Sequence, residues 1–154
     1  MRFKPFLRVS ECRFRQSDCL FMQKIRGIMG IIWEGTIDLA PITKKNSQRI
    51  AKNRYGQRFI LPSQKYEQYE REAAWLLKPP AEPIDTPVNV SMLFFMPTRR
   101  RCDLVNHEEA CLDLLVKAGV LSDDNYNIVA SMDGSRVLYD KECPRTEIKI
   151  TDAQ

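Results

Sequence analysis

Between Arg99 and Asp124 the chain carries three consecutive arginines (Arg99, Arg100, Arg101), an aspartate (Asp103), a polar series (Asn106, Glu109, Asp113) and a second acidic pair, Asp123-Asp124. Carboxylates gathered at one point repel one another. A divalent cation removes that cost while polarising a phosphate and lowering the pKa of a water. Neighbouring arginines supply the contacts that a phosphodiester backbone needs. One reading of these residue types is therefore metal-assisted hydrolysis of a phosphate ester. Each residue also has a structural role open to it. Asp103 is a good helix N-cap, Glu109 and Asp113 suit a solvated face with Lys117 four residues beyond Asp113, and Asp123-Asp124 suits a turn. From residue types alone both readings stay open.

The element that must position these groups is a predicted helix over 103–118, closed by Gly119 as a left-handed stop. At 100° per residue, Leu104, Cys111, Leu112, Leu115 and Val116 form one broad apolar side, with Leu114 and Ala118 extending it. Asn106, Glu109, Asp113 and Lys117 share the opposite face. Asp103 and Asp124 thus sit at opposite ends of one helix, and meet only if the chain after Gly119 returns along it or feeds a strand beside it. His107 and Glu108 fall on the apolar flank, where the binary pattern alone would not choose them. His107 is read as a packed or dimer-interface residue.

Around this helix the pattern predicts a half-buried strand from Ile31 to Leu39, with Ile31, Trp33, Gly35, Ile37 and Leu39 on one side. A basic segment containing Lys44, Lys45 and Arg49 leads to a hairpin whose tip is Asn53-Arg54-Tyr55-Gly56 and which closes onto 58–61. Pro62-Ser63 opens a helix carrying Tyr66, Tyr69, Ala73, Leu76 and Leu77, stopped by Pro79-Pro80; Tyr66, Tyr69 and Trp75 are expected in the core. Val88 to Met96 reads as an interior strand, and two strands follow the acidic turn, at Ile128 to Met132 and Thr146 to Ile150. The order ββαβαββ implies a single mixed α+β domain.

At 154 residues and 44% hydrophobic content the chain has material for one core. No apolar run approaches the roughly 20 residues of a membrane helix, so no membrane partner is expected. The net charge of +4 hides an asymmetry, with Lys and Arg crowded before Arg58 and at 99–101 and the acids mostly after Tyr66, which suits a polyanionic partner. Five scattered cysteines indicate neither a disulfide framework nor a zinc site, and fit a reducing cytoplasm. Residues 1–28 are basic and aromatic without the apolar core of an export signal. They are expected to be a dispensable extension or an overlong translation start, with the folded domain at 29–154.

The run Arg99-Arg100-Arg101-Cys102-Asp103-Leu104-Val105-Asn106, continued by Cys111 through Ala118-Gly119 to Asp123-Asp124, resembles the RusA family of Holliday-junction resolvases, and a more diffuse likeness reaches back to about Ile31. The resemblance implies a RusA-like α+β fold and a homodimer that binds four-way DNA junctions and makes paired, Mg²⁺-dependent incisions, with Mn²⁺ as a substitute ion, of the sort that prophages carry for recombination and repair. By position, Asp103 matches the first catalytic aspartate and Asp124 the last. Val105 stands where the family has its second aspartate, and Glu109 where an essential lysine is common. Glu109 is therefore expected to restore the missing carboxylate, so that Asp103, Glu109 and Asp124 hold the metal, supported by Asn106, Asp113 and Asp123. Arg99, Arg100, Arg101, Lys44, Lys45, Arg49 and Arg54 are expected to contact DNA phosphates. A catalytically silent junction-binding protein and a small dimeric regulator on the same scaffold are the competing functions. If phosphate contacts dominate, affinity for DNA falls steeply and linearly on a log–log plot against salt, and a titration from about 50 to 200 mM salt, costing about a thousandfold or more, checks it.

Overall fold

The computed structural model describes residues 30–44 and 48–153. Its organising element is strand β4 (Val88–Met96), whose Val88, Val90, Met92 and Phe94 are buried while the alternating residues are half-buried. That period-two burial is what a strand presents when one face is fully covered. β4 pairs antiparallel with β7 (Arg145–Asp152), which pairs antiparallel with β1 (Ile31–Ile37). On its other edge β4 pairs in parallel with two short strands, β5 (Val129–Ser131) at its start and β6 (Arg136–Tyr139) at its end. These make one five-stranded mixed sheet; β2 (Gln48–Lys52) and β3 (Arg58–Pro62) form a separate two-stranded ribbon.

Helices α1 (Gln64–Leu76) and α2 (Leu104–Lys117) cover the face of the sheet that carries Val88, Val90, Met92 and Phe94. Ala73 and Leu77 from α1 and its end, Cys111, Leu112, Leu114 and Leu115 from α2, and Ile148 and Ile150 from β7 complete that core. α1 starts where Ser63 Oγ accepts from the Tyr66 amide at 3.1 Å, and α2 stops at Gly119, whose φ of +76° is the left-handed conformation glycine adopts without cost.

The element order is βββαβαβββ, which corrects the expected ββαβαββ. Part of the difference is the hairpin, which contributes two strands. The rest is β6, a four-residue strand split from β5 by the turn at Asp133-Gly134. Asn89 holds that break: its side-chain oxygen accepts from the Asp133 amide and from Ser131 Oγ, both at 2.7 Å. Ser135 Oγ then accepts from the Met92 amide at 3.1 Å, replacing a ladder bond. A second correction concerns Trp75, expected in the core but 89% exposed beside Leu76 at the end of α1. Tyr66 and Tyr69 take the inward positions, with Tyr66 2% exposed, because α1 has only a narrow stripe toward β1 and α2. The extension at 1–28 lies outside the described residues.

Leu115 is fully buried where α2 meets β4. Leu115→Ala should lower unfolding free energy by about 2–5 kcal/mol, and Trp75→Ser by less than about 0.5 kcal/mol; urea denaturation of the two variants measures both.

Candidate active site and nucleic-acid interface

β4 ends at Met96, and the chain crosses from the sheet to α2 through the exposed arginines Arg99, Arg100 and Arg101. The Arg99 guanidinium lies over the Tyr139 ring, 4.4 Å from its centre, at the end of β6. Asp103 is exposed and caps α2, its Oδ1 accepting from the Val105 amide at 3.2 Å. Arg101, Cys102, Asp103, Leu104 and Asn106 line an open depression of about 510 Å³. Val105 is 62% exposed, an apolar side chain at the rim of an otherwise polar turn.

Beneath Asp103 the helix turns two polar groups inward. His107 is 4% exposed; its Nδ1 lies 2.9 Å from the Asp103 carbonyl oxygen, and its ring centre is 5.3 Å from that of Phe94. Its packed position is the one expected from the sequence. Glu108 is 8% exposed, and burial, then the charge of Asp103, push its carboxyl above the usual carboxylate range. Glu108 is thus an acid that feels Asp103; its place on the apolar flank was read from the sequence, but it was given no role in the site. The available signal was an acid on the apolar flank of α2, a placement that burial alone would reject.

Glu109 is exposed and belongs to a different neighbourhood, toward α1. The Tyr66 phenol there is pushed up to about 12, first by burial and then by the charges of Glu70, Asp113, Cys111 and Glu109. Asp113 pairs with Lys44 at 3.5 Å, and Lys117 pairs with Glu70 of α1 rather than with Asp113. Among the expected phosphate contacts, Arg49 reaches Glu67 at 3.2 Å, Arg54 stacks on Tyr55, and Lys45 lies outside the described residues.

Asp123 and Asp124 are exposed in the turn beyond α2. Asp123 accepts from the Asn125 side chain at 2.6 Å and from the Asp124 amide at 2.8 Å, and these two donors hold its carboxyl below the usual range. The turn is anchored at the far end of the sheet, because Ile84 and Leu121 bridge in parallel and Ser122 Oγ donates to Asp85 at 2.7 Å. After Gly119 the chain therefore runs on to the start of β4 instead of returning along α2. The 14 residues of α2 span about 21 Å. Within one chain Asp103 and Asp124 lie at opposite ends of that span, and Glu109 faces α1 between them. Among the described residues no three His, Cys, Asp or Glu side chains are grouped closely enough to hold a metal ion. A divalent cation held by Asp103, Glu109 and Asp124 of one chain does not fit this geometry.

Residues 38–151 match the family model described as Endodeoxyribonuclease RusA. Comparison with curated proteins gave no match.

Because Asp103 is both an exposed acid and a cap, its variants separate the two roles. Asp103→Asn keeps a side-chain acceptor and should leave thermal stability unchanged, whereas Asp103→Ala should cost about 1 kcal/mol, read from the shift in the unfolding midpoint.

Proposed function

The chain belongs to the RusA endodeoxyribonuclease family, and from that premise we propose that it is a homodimeric, Mg²⁺-dependent enzyme that resolves Holliday junctions by phosphodiester hydrolysis. The observation that carries the reading is Asp103, an exposed acid at the mouth of a depression shared with Arg101 and Asn106, within residues 38–151 that match the family. In this reading Arg99, Arg100 and Arg101 grip backbone phosphates and set the scissile bond over Asp103. A bound divalent cation, Mg²⁺ or Mn²⁺, would supply neutralising charge there. The acids of one chain are too far apart to hold it, so the proposal assigns the site to two protomers: Asp103 from one and Asp124 of the partner subunit. Two α2 helices antiparallel about a two-fold axis bring opposite helix ends together, giving two equivalent sites suited to paired incisions. Behind Asp103 on the first turns of α2 lie Glu108, buried but charge-coupled to Asp103, and Glu109, exposed toward α1. Asn106 and Asp113 support that face, and Asp123 fixes the turn that presents Asp124. Free thiols at Cys102 and Cys111 are compatible with work in the cytoplasm.

A second reading, a junction-binding protein without cleavage, is favoured by Val105, which puts an exposed apolar group where the family has an acid.

Cleavage of a synthetic four-way junction in Mg²⁺, against duplex of the same sequence, decides between them. Asp103→Asn and Asp124→Asn should each abolish nicking while leaving junction retardation intact or tighter. Mixed after unfolding and refolding together, the two inactive variants should regain nicking, since a heterodimer then holds one site with both acids. No recovery in dimers shown to have exchanged subunits rejects the two-chain site, and retardation without cleavage by the unmodified protein selects the binding-only function.

A further inference from the structure

The β2–β3 ribbon is built unlike the rest of the molecule. It stands apart from the five-stranded sheet, and Ile50 and Ile60, direct cross-strand partners, are 72% and 65% exposed. The next pair on the same side toward the tip is Lys52 opposite Arg58. An isolated two-stranded ribbon is marginal in water, and like charges placed directly opposite weaken it further. The opposite side carries Ala51 and Leu61, half-buried, and Phe59, 42% exposed, with Arg49 tied to Glu67 of α1 at 3.2 Å, so the ribbon is partly fastened on that side and barer on the Ile50–Ile60 side.

The tip is stiffened. Asn53 Oδ1 accepts from the amides of Tyr55 and Gln57, both at 3.0 Å, and Asn53 Nδ2 donates to Gln57 Oε1 at 2.9 Å. This holds Tyr55 out at 73% exposure, with the Arg54 guanidinium 4.7 Å from its ring centre. Residues 48–62 contain four cations, Arg49, Lys52, Arg54 and Arg58, and no acid.

An occupant for the barer side must supply anions for Lys52, Arg54 and Arg58 and apolar flat surface for Ile50, Ile60 and Tyr55. Intact duplex supplies the phosphates but keeps its base faces stacked. A second copy of the ribbon would place like charges together. Resting on the reading of the chain as a branched-DNA nuclease, we propose that the Ile50–Ile60 side and Tyr55 wedge against unstacked bases at the branch point, with Lys52, Arg54 and Arg58 on the flanking phosphates, and that this contact selects branched over duplex DNA.

The test uses the full chain in EDTA and a four-way junction carrying 2-aminopurine at the crossover, with a duplex of the same sequence. The unmodified protein should raise the fluorescence on binding. Ile50→Ser/Ile60→Ser and, separately, Tyr55→Ala should lose the rise and about tenfold or more in junction affinity while binding duplex as before. Trp75→Ser, exposed but distant in sequence from the ribbon, should change neither. Retention of the rise by both ribbon variants overturns the proposal, as does an equal loss on junction and duplex. Conversion of a dimer to a monomer by the ribbon variants, read by sedimentation, also overturns it and makes the ribbon a dimer arm. An unmodified protein that binds no junction at all removes the parent reading and the wedge with it, an outcome distinct from a wedge that fails on a protein that binds.

Discussion

Burial of the apolar flank of α2 against β4 fixes most of what this molecule can do. Leu114 and Leu115 are almost wholly buried beneath the helix, and Val90, Met92 and Phe94 meet them from the sheet. A helix so seated cannot slide or rotate without opening that core, and at 25 cal/mol per Å² each such side chain represents about 1.5–3 kcal/mol. The two ends of α2 are therefore set at the two ends of β4. Asp103 is delivered beside the arginines that leave the strand's end, and Asp124 beside the strand's beginning. The packing that stabilises the fold separates the acids.

The N-terminal end of α2 balances opposed demands. A buried carboxyl such as Glu108 is costly in its charged form, and the nearby Asp103 raises the cost. Asp103 itself is stabilised by the amide it caps. The loop from 97 to 103 is then placed by contacts on neighbouring strands: the Asp140 amide donates to the Met96 carbonyl at 3.0 Å, and Arg99 rests on Tyr139. Arg145 braces the same region, lying over the Phe95 ring at 3.7 Å while pairing with Asp140 at 2.9 Å and Glu147 at 2.7 Å. Sequence reasoning gave Arg145 no part. Glu147 stands two residues on and Asp140 five residues back, but Phe95 is brought to Arg145 only by the β4–β7 pairing, which no local pattern announces.

Where local rules dominate, the sequence was legible. Asp103 and Gly119 bound α2, Ser63 starts α1, and β4 alternates in burial, each through an interaction spanning four residues or fewer or through simple periodicity. Where the answer depends on what packs against an element, it was not. Trp75 carries the same apolar signal as Leu77, yet only Leu77 finds the core. Strand β6 is too short to show a period, and exists because the Asn89 and Ser135 side chains continue the ladder across its break with β5. The acidic site was legible as a set of residue types and not as a place, since convergence of Asp103 and Asp124 depends on the path after Gly119.

That path bears on how a chain with Val105 in the first turn of α2 could still act on DNA. An acid at Val105 would stand two residues from Asp103 in the first turn of α2, and on the proposed reading its absence would leave one chain a carboxylate short there. A site drawing on two chains is less dependent on any single position, because each protomer brings acids from a different helix end. It also ties activity to assembly: a monomer has an arginine-flanked acid at one end, a fixed acidic turn at the other, and about 21 Å of helix between them. On the proposed reading the basic ribbon would engage phosphate in either state. Affinity for DNA and competence to cut it would then rest on separable parts of the structure, the first on Lys52, Arg54 and Arg58, and the second on how two copies of α2 meet.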